Sequence, residues 1–310
     1  MNRFLRKALV STLILIFLLS FSFFYESRAN QKKSPEINAV IIGWDGAQRE
    51  HVKECLERGE LPNLKLISSE GNLVAIDILR VTDTKAGWAQ ILTGYEPETN
   101  GVFSNKMYKP IPKGYTIFER LENYFGSGNI ITGAIIGKGN HVGADKGLPY
   151  YNAKDSMDFF VNKLGKNFYV GELTLSYIEK YKDKPFMFFV HFADVDTFGH
   201  MYGENSKEYS DALISCDYWT GEIISKLKDL NIYDKTYIYI TADHGFDEGK
   251  RTHSDAPYVF LATNDNGVIR RGFRTDITPT VLDKYGLNLE QISPSLDGNS
   301  LRKPYSPPLW

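Results

Sequence analysis

Cysteine is scarce in this sequence, and the lack of closely spaced cysteines removes one class of metal site. Only two occur, Cys55 and Cys216, and neither lies in a C-x-x-C spacing. Two isolated thiols far apart in the chain do not build a metal site. The sequence is compatible either with a disulfide between them or with two separate buried thiols.

An excess of basic residues is also lacking. The formal charge of the 310-residue chain is −2, from 36 Lys and Arg against 38 Asp and Glu. Removal of residues 1–29 would take away four basic residues and one acidic residue, which moves the charge to −5. Nucleic-acid binding needs a basic surface, so we expect no specific nucleic-acid partner. Internal repeats and low-complexity segments are absent, and the length suits one large α/β domain or two modest ones.

A long uncharged apolar run is present at the N-terminus. Three basic residues within residues 1–7 precede a 17-residue apolar run at 8–24, and a Ser-Arg-Ala cleavage pattern follows at 27–29. This order is typical of a secretory signal peptide, although a run of this length is also at the short limit for a membrane span. We therefore expect residues 1–29 to be a signal peptide or a signal anchor. The protein would be exported, to the periplasm or the extracellular space, and would touch a membrane only through this segment if it stays uncleaved.

Apolar, strand-like runs alternate with helical patterns over residues 39–285. This alternation predicts an α/β fold, a three-layer sandwich whose mostly parallel central sheet is covered by helices on both faces. The predicted strands lie at 39–43, 73–79, 130–136, 186–192, 236–241 and 258–262. The predicted helices lie at 48–58, 85–92, 117–125, 155–164, 172–181, 208–230 and 276–285. We expect residues 30–310 to form a single catalytic domain with a small insertion around 137–165.

Acidic residues and histidines directly follow three of the predicted strands. Asp45 follows the first strand, Asp196 follows the fourth, and Asp243 with His244 follows the fifth. In open α/β sheets, ligands bind outside the carboxyl ends of the strands. We therefore expect these side chains to project from one edge of one sheet, as a metal-dependent active site requires.

Six side chains at or near these strand ends are candidate metal ligands. They are Asp45, Asp196, His200, Asp243, His244 and His253. Taken singly, each has an ordinary structural explanation, since Asp-Gly pairs form turns and loop histidines are usually solvated. Taken together, mixed carboxylates and imidazoles suit zinc and similar divalent ions. Three ligands per ion would hold two ions ~3.5–4 Å apart, an arrangement that clamps the two oxygens of an in-line displacement. We expect two divalent metal ions, and zinc is the expected metal. We also expect a turn at Gly199 that brings Asp196 and His200 together.

Thr84 lies where the predicted helix at 85–92 begins. Free backbone N–H groups and the helix dipole favour an anion at such a position. A threonine there is most often only an N-cap. In the company of the six candidate ligands a second interpretation is favoured, because a metal-coordinated hydroxyl loses its proton readily. Asn105, in the loop after Gly101, would then donate its amide to a phosphoryl oxygen that gathers charge.

These residues together resemble the alkaline phosphatase superfamily, and within it the nucleotide pyrophosphatase/phosphodiesterase branch. The resemblance covers nearly all of residues 38–302. It is carried by VIIGWDG at 40–46, ILTGYEPE at 91–98, NKMY at 105–108, TADHG at 241–245, DITPTVL at 276–282 and DGNSL at 297–301. No single motif is specific, but the ordered set is.

The resemblance implies an alkaline phosphatase-like fold and a role for each candidate residue. Thr84 would be the nucleophile and complete the shell of one metal, and Asn105 would donate to the phosphoryl oxygen. The protein ligands of that first metal would be Asp45, Asp243 and His244. Those of the second metal would be Asp196, His200 and His253.

The chain departs from the family's pattern in two places. The family's nucleophile is usually followed by an aromatic residue, a proline and an asparagine, whereas Lys85-Ala86-Gly87 follows Thr84 here. Lys138 lies on a Gly-rich segment where relatives have substrate-facing loops, and it resembles the phosphate-binding lysine of monoesterase and phosphonate-cleaving branches. Lys85 and Lys138 are therefore candidate substrate-binding residues, although a lysine on such a loop is more often solvated surface.

The resemblance implies an exported, two-metal phosphohydrolase that cleaves phosphodiester or nucleotide pyrophosphate bonds through a phosphothreonine intermediate. Its partner would be a small phosphate-ester substrate. The alternatives are a phosphomonoesterase or phosphonate hydrolase of the same superfamily, or a membrane-anchored phosphoethanolamine-type transferase. A sulfatase is disfavoured, because those enzymes use a modified Cys or Ser in a C/S-x-P-x-R setting that this chain lacks at Thr84. A catalytically silent binding protein on this fold would need missing ligands, and none of the six is missing.

Overall fold

A single eight-stranded β-sheet runs through the part of the chain that is described. The structure is a computed structural model that describes residues 33–304. In chain order the strands are β1 (Asn38–Trp44), β2 (Asn72–Asp77), β3 (Ile131–Ile136), β4 (Phe159–Val161), β5 (Phe186–Phe192), β6 (Thr236–Thr241), β7 (Tyr258–Thr263) and β8 (Gly272–Phe273). Across the sheet their order is β4-β3-β5-β1-β6-β7-β2-β8. In this order the first five strands, β4, β3, β5, β1 and β6, are parallel to one another. Strand β7 runs antiparallel to both β6 and β2.

Helices connect most of these strands. They are α1 (Arg49–Glu57), α2 (Pro62–Glu70), α3 (Thr84–Thr93), α4 (Pro97–Asn100), α5 (Ile117–Phe125), α6 (Asn167–Tyr181), α7 (Asp194–Tyr202), α8 (Lys207–Asp229) and α9 (Ile277–Lys284). Short 3-10 turns lie at Lys154–Ser156, Tyr233–Lys235, Arg274–Asp276 and Leu289–Gln291.

The helices cover both faces of the sheet, as adjacent residues of β5 illustrate. Successive side chains of a strand point to opposite faces, so Phe188 and Phe189 lie on different sides. Phe188 contacts Tyr181 of α6, with ring centroids 6.2 Å apart, whereas Phe189 contacts Trp88 of α3 at 5.1 Å. Trp88 lies so close to β1 that a Cβ on Gly43 would be 2.3 Å from its ring, so glycine is required there. The predicted α/β sandwich with a mostly parallel sheet is confirmed.

One predicted element is wrong. The helix expected at 155–164 is instead the 3-10 turn Lys154–Ser156 followed by β4, which pairs in parallel with β3. A helix cannot continue to residue 164, because Lys163 has a φ of 62°. The aromatic and β-branched residues of β4 suit an edge strand better than a helix.

The two cysteines are separate buried thiols. Both are unpaired, and the Asn167 side-chain amide donates to the Cys216 sulfur at 3.2 Å. Burial raises the pKa of Cys55 to about 11, so this thiol stays protonated and weakly reactive.

The predicted leader at residues 1–29 lies outside the described residues. From Pro35 onward the described chain forms one compact unit, to which residues 137–165 also belong. Among residues 33–304, no helix has both the length and the apolar character that a membrane crossing needs.

Candidate active site

The carboxyl ends of β5, β1 and β6 carry three buried acidic side chains. β1 lies between the other two strands, and Gly43 is level with both His191 and Thr241. Asp45 follows β1, Asp196 lies in the first turn of α7 after β5, and Asp243 follows β6. All three side chains are at most 1% exposed. The sheet topology alone therefore concentrates three carboxylates in a small volume.

Asp45, Asp243 and His244 form one cluster that could hold a metal ion. Their ligand atoms lie within 4.8 Å of one another. The His244 Nε2 is 3.6 Å from Asp45 Oδ1 and 3.4 Å from Asp243 Oδ2. The backbone N–H of Gly46 donates to the other Asp243 oxygen at 3.2 Å, which orients that carboxylate. These are the three protein ligands that the family resemblance implies for the first metal.

A second cluster combines Asp196 with His253 and His244. Asp196 Oδ1 lies 3.9 Å from His253 Nε2 and 3.6 Å from His244 Nε2. The His244 and His253 rings stack with centroids 3.8 Å apart. His200, the third ligand that the family resemblance implies for the second metal, lies beside this cluster with its Nε2 3.4 Å from Asp196 Oδ1. His244 therefore lies between the two clusters.

The juxtaposition of Asp196 and His200 comes from helix geometry, so the expected turn at Gly199 is wrong. Residues four apart share a face of a helix, and both lie in α7. Gly199 instead makes room for an aromatic ring, since a Cβ there would be 2.5 Å from Phe246 Cζ.

The tautomers of two histidines leave a nitrogen lone pair facing the clusters. His244 Nδ1 lies 2.9 Å from the carbonyl oxygen of Gly245, and His200 Nδ1 lies 2.8 Å from that of Arg251. A carbonyl can only accept, so each Nδ1 carries the hydrogen and each Nε2 is free to bind a metal. Burial and the neighbouring His253 lower the pKa of His244 to about 3, so its ring is neutral at neutral pH.

The buried carboxyl groups of the site disfavour one another's ionisation. Burial and the nearby Asp45 carboxylate raise the pKa of Asp243 well above its usual range. Burial also acts to raise the pKa of Asp45, but the Lys138 ammonium and the hydrogen bond from His191 outweigh it and lower that pKa. Three ionised carboxylates without a bound cation are therefore unfavourable in this buried cluster.

Thr84 is the first residue of α3, and Asp83 occupies the N-cap position. The Thr84 hydroxyl lies 3.2 Å from His244 Nε2, to which it donates, and it is almost fully buried. A simple capping role does not account for this position, because the threonine lies inside the helix and faces the carboxylate clusters.

Asn105 is held against the start of α3 by three hydrogen bonds. Its backbone N–H donates to Asp83 Oδ2 at 2.9 Å, and its side-chain oxygen accepts from the backbone N–H of Lys85 at 2.9 Å. The Lys85 ammonium donates to the Asn105 carbonyl oxygen at 2.9 Å and lies 4.0 Å from the centre of the Tyr108 ring. The Asn105 amide is thereby oriented, and the Lys85 ammonium is already engaged by the protein.

Lys138 lies inside the acidic cluster, and its side chain is 22% exposed. Its ammonium donates to Asp196 and lies 3.7 Å from Asp45 Oδ1. These carboxylates raise the pKa of Lys138 despite the opposing effect of burial. The lysine from the Gly-rich loop is therefore close to the candidate metal ligands rather than on the solvated surface.

Two buried residues support the site without having been singled out from the sequence. His191 in β5 donates from Nε2 to Asp45 Oδ2 at 2.8 Å, which turns the other Asp45 oxygen toward the clusters. Arg274 donates to the carbonyl oxygens of Asp243 at 2.7 Å and Val81 at 2.9 Å. His191 is the only polar residue of the run at 186–192, and this exception in an apolar strand is the sequence feature that could have pointed to its role.

The donor set fits divalent ions of the zinc type. Within the described residues, one buried oxygen of each of Asp45, Asp196 and Asp243 has no hydrogen-bond partner. Buried polar atoms without partners are costly, and a cation between them removes that cost. Carboxylate and imidazole donors together are those of zinc sites.

Solved structures share the fold of this chain. The chain is similar to a putative sulfatase yidJ from Bacteroides fragilis, with a TM-score of 0.65 and 15% identity over 87% of this chain and 77% of that one. It is also similar to a protein in the alkaline phosphatase superfamily from Vibrio parahaemolyticus, with a TM-score of 0.60 and 19% identity over 89% and 71% of the two chains. At these identities the likeness shows the fold alone, which is alkaline phosphatase-like.

Sequence comparison identifies the branch. The chain is 24% identical over 233 residues to bis(5'-adenosyl)-triphosphatase enpp4 of Mus musculus, which covers 71% of this chain and 49% of the relative. It is 26% identical over 245 residues to ectonucleotide pyrophosphatase/phosphodiesterase family member 1 of Homo sapiens, which covers 72% and 26%. The chain thus spans about half the length, or less, of these curated relatives. The model of one family matches residues 39–284. The chain belongs to the type I phosphodiesterase / nucleotide pyrophosphatase family.

Proposed function

We propose that this protein is a metal-dependent hydrolase that cleaves phosphodiester or nucleotide pyrophosphate bonds through a phosphothreonine intermediate on Thr84. Family membership supports the reaction class, and the curated relatives are named as a triphosphatase and a pyrophosphatase/phosphodiesterase. The observation that carries the proposal is the buried Thr84 hydroxyl, 3.2 Å from His244 Nε2 at the first turn of α3.

The residues proposed to hold two zinc ions fall into two groups. The first group is Asp45, Asp243 and His244, with Thr84 completing the shell. The second group is Asp196, His200 and His253. When bound, zinc would lower the pKa of the Thr84 hydroxyl and neutralise charge on the phosphoryl group.

The side chains of this chain supply the nucleophile and position the substrate. The Thr84 Oγ1 forms a bond to phosphorus as the bond from phosphorus to the leaving oxygen breaks, and the hydroxyl proton passes to solvent. Water then attacks the phosphothreonine: its oxygen forms a bond to phosphorus as the bond between phosphorus and Oγ1 breaks, and one of its protons goes to Thr84 Oγ1. The Asn105 amide, oriented by its bond from Lys85, donates to a phosphoryl oxygen on which charge accumulates.

Replacement of the nucleophile tests this proposal. We expect Thr84→Ala to abolish turnover of a nitrophenyl diester and of a nucleotide substrate, because alanine lacks the attacking Oγ1. Metal content, measured by mass spectrometry, should be unchanged, since six ligands remain. Thr84→Ser, which keeps the hydroxyl, is the matched control and should retain part of the activity. Persistent turnover by the alanine variant would show that Thr84 is not the nucleophile.

Lys138 supports a phosphomonoester as the alternative substrate. A monoester carries one more negative charge at phosphorus than a diester, and the Lys138 ammonium lies beside the metal-ligand candidates Asp45 and Asp196. Side-by-side rates on a nitrophenyl monoester, a diester and a nucleotide, with zinc present, discriminate between these substrates. In either case the partner is a small phosphate ester rather than a nucleic acid.

Export of the protein is proposed from residues 1–29. A basic start, an apolar run and a small-residue cleavage pattern support it. We expect the full chain, expressed in a bacterial host, to be recovered outside the cytoplasm, while a variant without residues 1–29 stays inside. N-terminal sequencing distinguishes a cleaved signal from an anchor, and recovery of both forms in the cytoplasm would contradict export.

A further inference from the structure

We propose that His51, Glu204 and Glu248 form a third divalent-cation site, separate from the two clusters of the candidate active site. Each residue offers one ligand atom, and these atoms lie within 4.8 Å of one another. None of the three belongs to the candidate ligand set, and they come from three separate segments of the chain. His51 lies in α1, Glu204 follows α7, and Glu248 lies in the loop after β6.

Glu204 is the residue that distinguishes this site from an ordinary surface cluster of acids. Its side chain is fully buried. One oxygen, Oε1, accepts from the backbone N–H of Gly249 at 2.6 Å. The other, Oε2, has no hydrogen-bond partner within the described residues, and it lies 3.7 Å from His51 Nε2. A buried carboxylate oxygen left in this way is unfavourable unless a cation occupies the space beside it.

His51 is oriented as a ligand would be. Its Nδ1 lies 3.4 Å from Glu54 Oε2, one turn further along α1, and its ring makes an edge contact with Tyr209 at 5.4 Å. A carboxylate beside one imidazole nitrogen favours the hydrogen on that nitrogen and leaves the other nitrogen available, and this pairing is usual for metal-bound histidines. The available nitrogen here is Nε2, on the side of Glu204.

The donor chemistry indicates a zinc-type ion. An imidazole with two carboxylates suits zinc and related ions, whereas calcium and magnesium prefer oxygen ligands alone. Glu248 is exposed, so the ion can enter from solvent and water can complete its coordination.

A cation at this position would brace the segments that carry the active-site histidines. Glu204 follows His200 by four residues, and Glu248 lies between His244 and His253. The backbone of Glu204 already contacts this loop, because its N–H donates to the Lys250 carbonyl oxygen at 3.2 Å. The proposed role of the ion is therefore structural.

Metal stoichiometry of a conservative variant tests the proposal. Glu204→Gln keeps an oxygen for the Gly249 N–H but removes the charge that would bind the ion. After loading with zinc and gel filtration, we expect the variant to hold about one metal equivalent per chain less than the wild type. Glu57→Gln, which alters an exposed acid of α1, the helix that carries His51, is the matched control and should hold the wild-type amount.

Anomalous diffraction from zinc-soaked wild-type crystals gives a second readout that does not depend on the variant's folding. We expect a peak between His51 Nε2 and Glu204 Oε2. Equal metal content in Glu204→Gln and the wild type, or no anomalous peak at this position, would overturn the proposal. Neither readout requires catalysis, so failure of the proposed hydrolase activity is a separate result.

Discussion

His191 fixes the orientation of a candidate metal ligand from inside the sheet. Its Nε2–H donates to Asp45 Oδ2 at 2.8 Å, and its ring packs edge-on against Trp88 at 5.2 Å. We expect His191→Leu to weaken zinc binding about 10–100-fold, since loss of a hydrogen bond to a metal ligand has effects of this size. A zinc titration against a chromophoric chelator measures the change.

A matched variant separates this role of His191 from simple packing. His191→Gln keeps an N–H donor in the same strand and should bind zinc more tightly than His191→Leu. Equal affinities of the two variants would mean that the hydrogen bond to Asp45 does not position the ligand.

Lys138 is expected to discriminate between substrates by charge. Its ammonium lies 3.7 Å from Oδ1 of Asp45, a candidate metal ligand. Since a monoester carries the greater charge, Lys138→Ala should reduce kcat/KM for a nitrophenyl monoester much more than for a diester. Lys163→Ala is the control, because that ammonium pairs with the exposed Asp145 at 2.8 Å. An equal loss on both substrates would remove the basis for a phosphate-binding lysine.

At the residue scale, the sequence predicts the chemistry of the ligands better than their grouping. The positions of Asp45 and Asp243 follow from strand ends, because parallel strands meet at one edge. The place of His244 between the two clusters depends on ring orientation and on the bond to Gly245, which no spacing encodes. The role of His191 is not predicted for a similar reason, because its partner Asp45 lies 146 residues away in the chain and nothing in the sequence links the two.

At the scale of elements, α7 owes its position to a glycine. A Cβ at Gly199 would lie 2.5 Å from the Phe246 ring, which itself contacts the rings of His200 and His253. We expect Gly199→Ala to lower the free energy of unfolding by roughly 1–3 kcal/mol through overpacking, despite the better helix propensity of alanine. Urea denaturation monitored by circular dichroism measures this change.

A double variant tests the cause of that loss. Phe246→Leu reduces the volume opposite Gly199, so the alanine should be tolerated better in the Phe246→Leu background than in the wild type. Additive effects of the two changes would indicate that the predicted clash does not occur, because residues in contact are expected to couple.

Whether a segment is helix or strand is predictable where its apolar pattern is long, and not where the segment has only a few residues. The 23-residue α8 keeps helical spacing throughout and was predicted at 208–230. The three-residue β4 was mistaken for part of a helix, because its neighbours Met157 and Leu164 supply a spurious apolar spacing. Helix α2 and strand β8 were not predicted, and β8 has only two residues.

At the scale of the whole molecule, the fold creates an electrostatic problem that cations would solve. Three adjacent strands direct Asp45, Asp196 and Asp243 into one buried volume, and Lys138 lies close to two of them. Isolated buried charges are strongly unfavourable, and breaking their pairing is destabilising. The arrangement that makes the site suited to metals should therefore also make the stability of the protein depend on them.

We expect metal removal to lower the melting temperature of the purified protein. Ligands that bind only the folded state stabilise it by about 4 kcal/mol at a thousand-fold excess over Kd, and each kcal/mol corresponds to roughly 2–4 °C in a domain of this size. Dialysis against EDTA should thus lower Tm by on the order of 10 °C, and zinc should restore it, as measured by scanning fluorimetry. Asp243→Asn removes the carboxyl group that burial and Asp45 make costly to ionise, so its metal-free form should melt higher than the metal-free wild type and gain less from zinc. Glu204→Gln, measured in parallel, isolates the contribution of the third site. An unchanged Tm after complete metal removal, verified by mass spectrometry, would show that the carboxylate cluster is stable without cations.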